Sequence, residues 1–215
     1  MAHLLKTRLE RMLGGLERQG YDVRELVFEP VAGEHEVLAV EQQLGIALPV
    51  SFRNVLQKIS RNVDFGWFSP RGLKYPRPFQ SNFCGGIHWS VDTVAGINSE
   101  KDSWVREVFP EPNDAYDRVW HQKLAFLEVG NGDYLALDLH PESIGKVVYL
   151  SHDDGAGHGH ALAADFEDLL ERWVPLACTG AEDWQWMPFT SELTTYIDPT
   201  TDLAREWRLL LGAEA

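Results

Sequence analysis

Residues 124 to 150 read LAFLEV, GNGD, YLALDL, HPESIG and KVVYL in succession, three short apolar runs separated by two turn signals. In the middle run Leu135, Leu137 and Leu139 alternate with Tyr134, Ala136 and Asp138, the period-two pattern of a strand with one buried face and one mixed face. Asn131-Gly132 can supply the positive φ angles of a tight hairpin, and Pro141 with Gly145 marks the second turn. A three-stranded meander is predicted, and the rest of the chain has to pack around it.

The partners for that sheet are helical. Leu5, Leu9, Met12, Leu13 and Leu16 repeat at helical spacing until Gly14, Gly15 and Gly20 weaken and end the segment. Val37, Val40 and Leu44 share a face in HEVLAVEQQLG, with Gly45 placed as a C-cap. Pro49 suits the first turn of the next helix, whose stripe is Phe52, Val55, Leu56 and Ile59. Downstream, Phe166, Leu169, Leu170 and Trp173 form a fourth stripe that Asp165 can cap. A Trp-rich turn, EDWQWMPF, and a last helix with Leu203, Trp207 and Leu210 on one face close the chain. Residues 60 to 112 are aromatic and punctuated by Gly and Pro; GIHW is read as a strand and WVREVF as a short helix.

At 215 residues, 44% hydrophobic and 24% charged, the composition is that of one packed domain. The formal charge of −14 repels phosphate backbones and anionic lipid, which argues against direct nucleic-acid binding, and attracts basic partners. Cys84 and Cys178 lie far apart without CxxC spacing, which argues against a zinc framework or a disulfide scaffold and fits a reducing cytoplasm. No apolar run approaches the length of a membrane span, so no membrane insertion is expected.

The most enzyme-like stretch is SHDDGAGHGH at residues 151 to 160. His152, Asp153, His158 and His160 could converge on a transition metal. However, H-x-G-H is no established ligand spacing, and Gly155, Gly157 and Gly159 leave the segment entropically loose, so a solvated connector is preferred. Cys84 with His88 four residues on faintly suggests a thiol beside a base, but such pairing is spatial rather than sequential. No catalytic residue, cofactor or metal is assigned.

Two blocks, EQQLGIALPVSFRNVLQKIS and LAFLEVGNGDYLALDL with GKVVYLSHDDG and DFEDLLERWV, resemble the SUKH superfamily of immunity proteins and cell-wall-synthesis regulators. Its LG-x-x-LP signature stands here as Leu44, Gly45, Leu48 and Pro49, and its Gly-Asp hairpin as Gly132 and Asp133. Where the family often has an Asn-Gly-Gly turn after the LP helix, this chain reads SRNVDFGWF. The resemblance implies an α+β fold, a curved and mostly antiparallel sheet with packed helices, over residues 30 to 175. A helical extension (1–29) would precede it, and a C-terminal extension (176–215) would pack on the same domain.

The resemblance also implies a non-enzymatic protein that binds and neutralises a cognate toxin domain, and the negative charge suits a basic nuclease as the partner. Two surfaces are candidates for that contact. Asp133, Asp138, Asp153 and Asp154 are the carboxylates, against the alternative of plain solvation. Trp67, Phe68, Trp184 and Trp186 are the aromatics, against the alternative of burial in the core. A cytoplasmic regulator or scaffold of the same fold, and a metal-dependent hydrolase using the His-rich loop, are the competing classes.

Overall fold

The computed structural model describes residues 2–190 and 196–212. Helix α1 (Ala2–Arg18) is followed by two short strands, β1 (Asp22–Val23) and β2 (Val27–Phe28), and by helices α2 (Glu34–Leu44) and α3 (Val50–Lys58). Then come β3 (Asn62–Phe68), β4 (Cys84–Ser90), α4 (Val94–Glu107) and the one-turn α5 (Asp117–Trp120). The meander follows as β5 (Lys123–Glu128), β6 (Tyr134–Asp138) and β7 (Val147–Leu150), extended by β8 (Ala161–Ala163). Helices α6 (Phe166–Trp173), α7 (Asp183–Trp186) and α8 (Asp202–Leu210) complete the described chain.

The strands form two antiparallel sheets rather than one continuous sheet. In the first, β3 is flanked by β4 on one side and by β1 and β2 on the other; in the second the order is β5-β6-β7-β8. The predicted hairpin forms as read: Gly132 has φ +94°, its N–H reaches the Val129 carbonyl at 2.9 Å, and Val129 N–H reaches the Asp133 carbonyl at 2.8 Å. β8 was not legible in the sequence, because ALA is too short to show a period.

The LG-x-x-LP segment has a mechanical basis. Gly45 sits at φ +69° past the end of α2, a left-handed cap that a Cβ would strain. Leu48 is buried in the core, and Pro49 is the N-cap residue immediately before α3. Glu41 locks the corner by accepting the Leu48 N–H at 2.9 Å and the Arg53 guanidinium at 3.0 Å. Ser60 completes the exit from α3: its hydroxyl lies 2.7 Å from the carbonyl oxygens of both Glu29 and Asn62, which share its one proton.

The main core lies between the sheets and helices α1, α3 and α6. It takes Leu5, Leu9, Leu13 and Leu16 from α1, Phe52 and Phe166 in edge contact at 4.8 Å, and Trp186, Phe189 and Trp207 from the C-terminal region. In α8 the buried positions are Ala204 and Trp207, with Leu211 just after the helix; Leu210, expected on the buried face, is 38% exposed.

The mixed face of the meander is covered as well: Ala125, Tyr134, Ala136, Val148 and Leu150 lie under a separate aromatic cluster built from Phe109 and Trp120, with Trp104 against it. Phe109 and Trp120 stack at 4.5 Å with planes 17° apart. The cover is α4, which runs a full 14 residues where only WVREVF was read as helix. Its inward stripe includes Val94, Ile97, Lys101 and Trp104, and the buried Lys101 in the middle disguises the apolar period. Lys101 reaches Asp102 at 2.5 Å, and burial pulls its ammonium below the usual lysine range.

Candidate functional site

The two carboxylates at the turns of the meander face inward. Asp133 is 1% exposed and holds the hairpin to its surroundings. One of its oxygens accepts the backbone N–H of His152 at 2.8 Å and faces the His152 Nδ1 at 2.6 Å; the other accepts Asn131 Nδ2 at 2.7 Å and the Tyr149 hydroxyl. Burial, and then the hydrogen bond to Asp133, push the Tyr149 phenol far above the usual tyrosine range, so it stays a donor. Asp138 is also buried and caps the second turn, accepting from His140 N–H at 3.0 Å, Ser143 Oγ at 2.8 Å and Lys123 Nζ at 3.1 Å. Burial opposes its ionisation, but these donors outweigh it and hold the carboxyl below its ordinary value. Neither Asp133 nor Asp138 is available to meet a partner.

The His-rich loop is built, not loose. The Ser151 N–H donates to His158 Nδ1 at 3.1 Å, which leaves Nε2–H to donate to the Tyr116 carbonyl at 3.0 Å. Both ring nitrogens are thus committed, and His158 is closed to metal ligation. Gly157 N–H donates to Asp183 at 2.9 Å, and Gly155 N–H to Ser151 Oγ at 2.9 Å, tying the glycines down. Of the four residues considered for a metal, only His152 and Asp153 come together, joined by Asp133, with ligand atoms within 4.8 Å of one another. In that trio the oxygen of Asp133 that faces His152 Nδ1 also takes a backbone N–H, and both residues are hydrogen-bonded to each other, which reads as a structural pair. His160 packs against Trp186 at 5.1 Å between ring centroids.

The thiol and imidazole in FCGGIHW are also separated. Cys84 and His88 lie on one strand opposite Phe68 and Asp64, four residues and roughly 13 Å apart. Burial pushes the Cys84 thiol up, away from a reactive thiolate, and His88 instead pairs with Thr93 Oγ1 at 3.1 Å.

Two of the aromatic candidates are core residues. Trp67 is fully buried, its indole N–H donating to the Ala177 carbonyl at 2.8 Å, and Trp186 is fully buried with its N–H on the Ala181 carbonyl at 3.1 Å. Large apolar area with a satisfied N–H explains both. Phe68 and Trp184 do reach the surface, at 47% and 45% exposure, and Asp153 and Asp154 are exposed as well.

Tertiary structure adds acidic neighbours that were not singled out. The Tyr116 hydroxyl donates to the Ser151 carbonyl at 2.5 Å and accepts the Asp154 N–H at 3.0 Å, which brings the segment before α5 onto the His-rich loop. Glu111 and Asp114 on that segment are exposed, as are Asp153 and Asp154 on the loop. The run EPNDAYD carried the signal, since its carboxylates alternate with turn formers.

A second surface lies between the sheets. On β3, Val63, Phe65 and Trp67 point to the core, so Asp64, Gly66 and Phe68 face the other way, beside Cys84, Gly86 and His88 of β4. This face forms the floor of a groove of about 580 Å³ whose far wall comes from the end of β5 and the start of α7.

Residues 32–172 match the family model described as the SMI1 / KNR4 family (SUKH-1). The chain belongs to the SMI1/KNR4 (SUKH-1) family. The matched span runs from α2 through α6 and so contains the Leu48-Pro49 corner and the Asp133 hairpin. No curated protein matches the chain. Membership accounts for the α+β architecture. Among the described residues no helix is long and apolar enough to cross a membrane.

Proposed function

We propose that this SUKH-1 protein is a non-enzymatic binding module that neutralises a cognate bacterial toxin in the cytoplasm by occupying the toxin's surface. The family match carries the reading. Three properties of the chain support it. The ionisable groups most suggestive of chemistry, Asp133, His152 and His158, are spent on hydrogen bonds that hold the fold. Carboxylates at Glu111, Asp114, Asp153 and Asp154 are exposed on two segments that Tyr116 joins, and the net charge of −14 favours encounter with a basic partner such as a nuclease. Trp184, next to the loop anchor Asp183, supplies an exposed aromatic of the kind that dominates interface energies.

The test is capture of partners from the source cells at low and high salt, followed by inhibition of the captured activity. Recovery of a toxin domain at one-to-one stoichiometry, inhibited on binding and released by salt, is the expected result. Recovery of a host envelope or secretion factor with no toxin activity would move the protein to the regulatory class.

A further inference from the structure

The floor of the groove between the sheets is bare at one register position. Gly66 and Gly86 face each other across β3 and β4, and a Cβ on Gly86 would lie 2.4 Å from the Phe65 carbonyl oxygen. Over this bare backbone lies the guanidinium of Arg24, so close that a Cβ on Gly66 would stand 2.5 Å from its Nη2, with Asp64 at 3.6 Å. The fold therefore already holds one guanidinium against this floor. At that distance from Asp64, and 61% exposed, Arg24 is held by a loose surface pair rather than a tight one.

The rest of the groove lacks a cation to match its charge. Glu128 and Glu182 contribute two carboxylates, and neither forms an ion pair among the described residues. The Glu182 Oε2 is shielded from solvent and has no hydrogen-bond partner. Burial, with Asp133 and Asp183 nearby, raises its carboxyl above the ordinary range, the condition that an incoming cation relieves. Phe68 and Phe83, at 47% and 50% exposure, add two aromatic rings to the lining. A groove that holds both an unpaired carboxylate and exposed aromatic rings suits a guanidinium by its chemistry: a planar, weakly hydrated cation both stacks on rings and pairs with carboxylates, which an ammonium does less well.

We propose that the groove between the two sheets receives an arginine side chain of the partner protein, paired with Glu182 and Glu128 and packed on Phe68 and Phe83. The assignment rests on the protein-binding reading above and adds to it the place and the chemistry of the anchor. It differs from the acidic rim at Asp153 and Asp154, which steers the encounter but encloses nothing.

The experiment is an NMR titration of the full chain with acetyl-Gly-Arg-Gly-amide, and with the same peptide carrying citrulline, the uncharged isostere of arginine. Saturable shifts confined to Phe68, Phe83, Glu128 and Glu182 are expected, weakened roughly tenfold by citrulline and by Glu182→Gln. Equal response to both peptides, shifts centred on Asp153 and Asp154, or no response at millimolar peptide would overturn the assignment. Because Glu182→Gln removes an unpaired, partly buried carboxyl, the variant is expected to melt no lower than the parent. A Glu128→Gln variant repeats the test at the second carboxylate of the lining. In partner capture, a toxin retained equally by the parent and by the doubly substituted chain would sink the groove and leave the immunity reading standing. Failure of the parent to retain any toxin while the arginine peptide still binds would do the reverse.

Discussion

The imidazole of His158 lies on the phenol of Tyr116, ring centroids 3.8 Å apart and planes 13° from parallel. The stack joins the segment before α5 to the loop after β7, and the ring can keep both of its hydrogen bonds only when Nδ1 is unprotonated.

That geometry sets a pH dependence. Burial lowers the His158 pKa below its ordinary 6.5, against smaller opposing effects of the Tyr116 carbonyl and nearby carboxylates including Asp133, Asp154 and Asp117. The unfolded chain therefore binds the proton more readily than the folded one. His158 contributes stability that is complete above about 6.5 and declines as pH falls below it. Urea melts across this range should show the decline in the parent and a flatter profile in His158→Phe.

Asp133 and Asp153 lie close to one another but should behave in opposite ways. Asp133→Ala strands the buried Tyr149 hydroxyl and the His152 N–H, at a cost of about 2–4 kcal/mol. Asp153→Ala is expected to stay within about 0.5 kcal/mol, as an exposed position does. If removal of Asp133 left the melting midpoint unmoved, the anchoring role given to the hairpin would be wrong.

Tryptophan exposure separates core from surface. Trp67→Ala and Trp186→Ala should each cost about 3–5 kcal/mol, while Trp184→Ala should leave stability nearly unchanged and weaken partner binding only. Chemical denaturation alongside partner capture distinguishes the two outcomes for each variant.

Glycines test the backbone account. Gly45→Ala meets no neighbouring atom but must hold φ +69°, at about 1 kcal/mol. Gly85→Ala would place its Cβ 2.5 Å from the buried Trp67 ring, and overpacking there should cost about 1–3 kcal/mol. A larger loss at Gly45 than at Gly85 in thermal melts would contradict this ordering.

Local patterns in the sequence determined the helices with an unbroken apolar stripe, the Gly45 and Asp165 caps, and the β5-β6-β7 meander with its Gly132 turn. Each depends on residues within about two turns of one another, so periodicity and turn chemistry suffice to specify it. Asp165 illustrates the point: its carboxylate accepts the Asp168 N–H at 2.9 Å, as the spacing alone required.

Tertiary structure decided what those elements cover. Lys101 interrupts the stripe of α4, so only packing on the outer face of the meander revealed the whole helix. Exposure was decided there too, because an aspartate at a turn reads the same whether it faces water or, like Asp133, a tyrosine hydroxyl delivered from the next strand. The Gly66-Gly86 floor likewise exists only through the pairing of β3 with β4, a contact between residues twenty positions apart that no local period encodes.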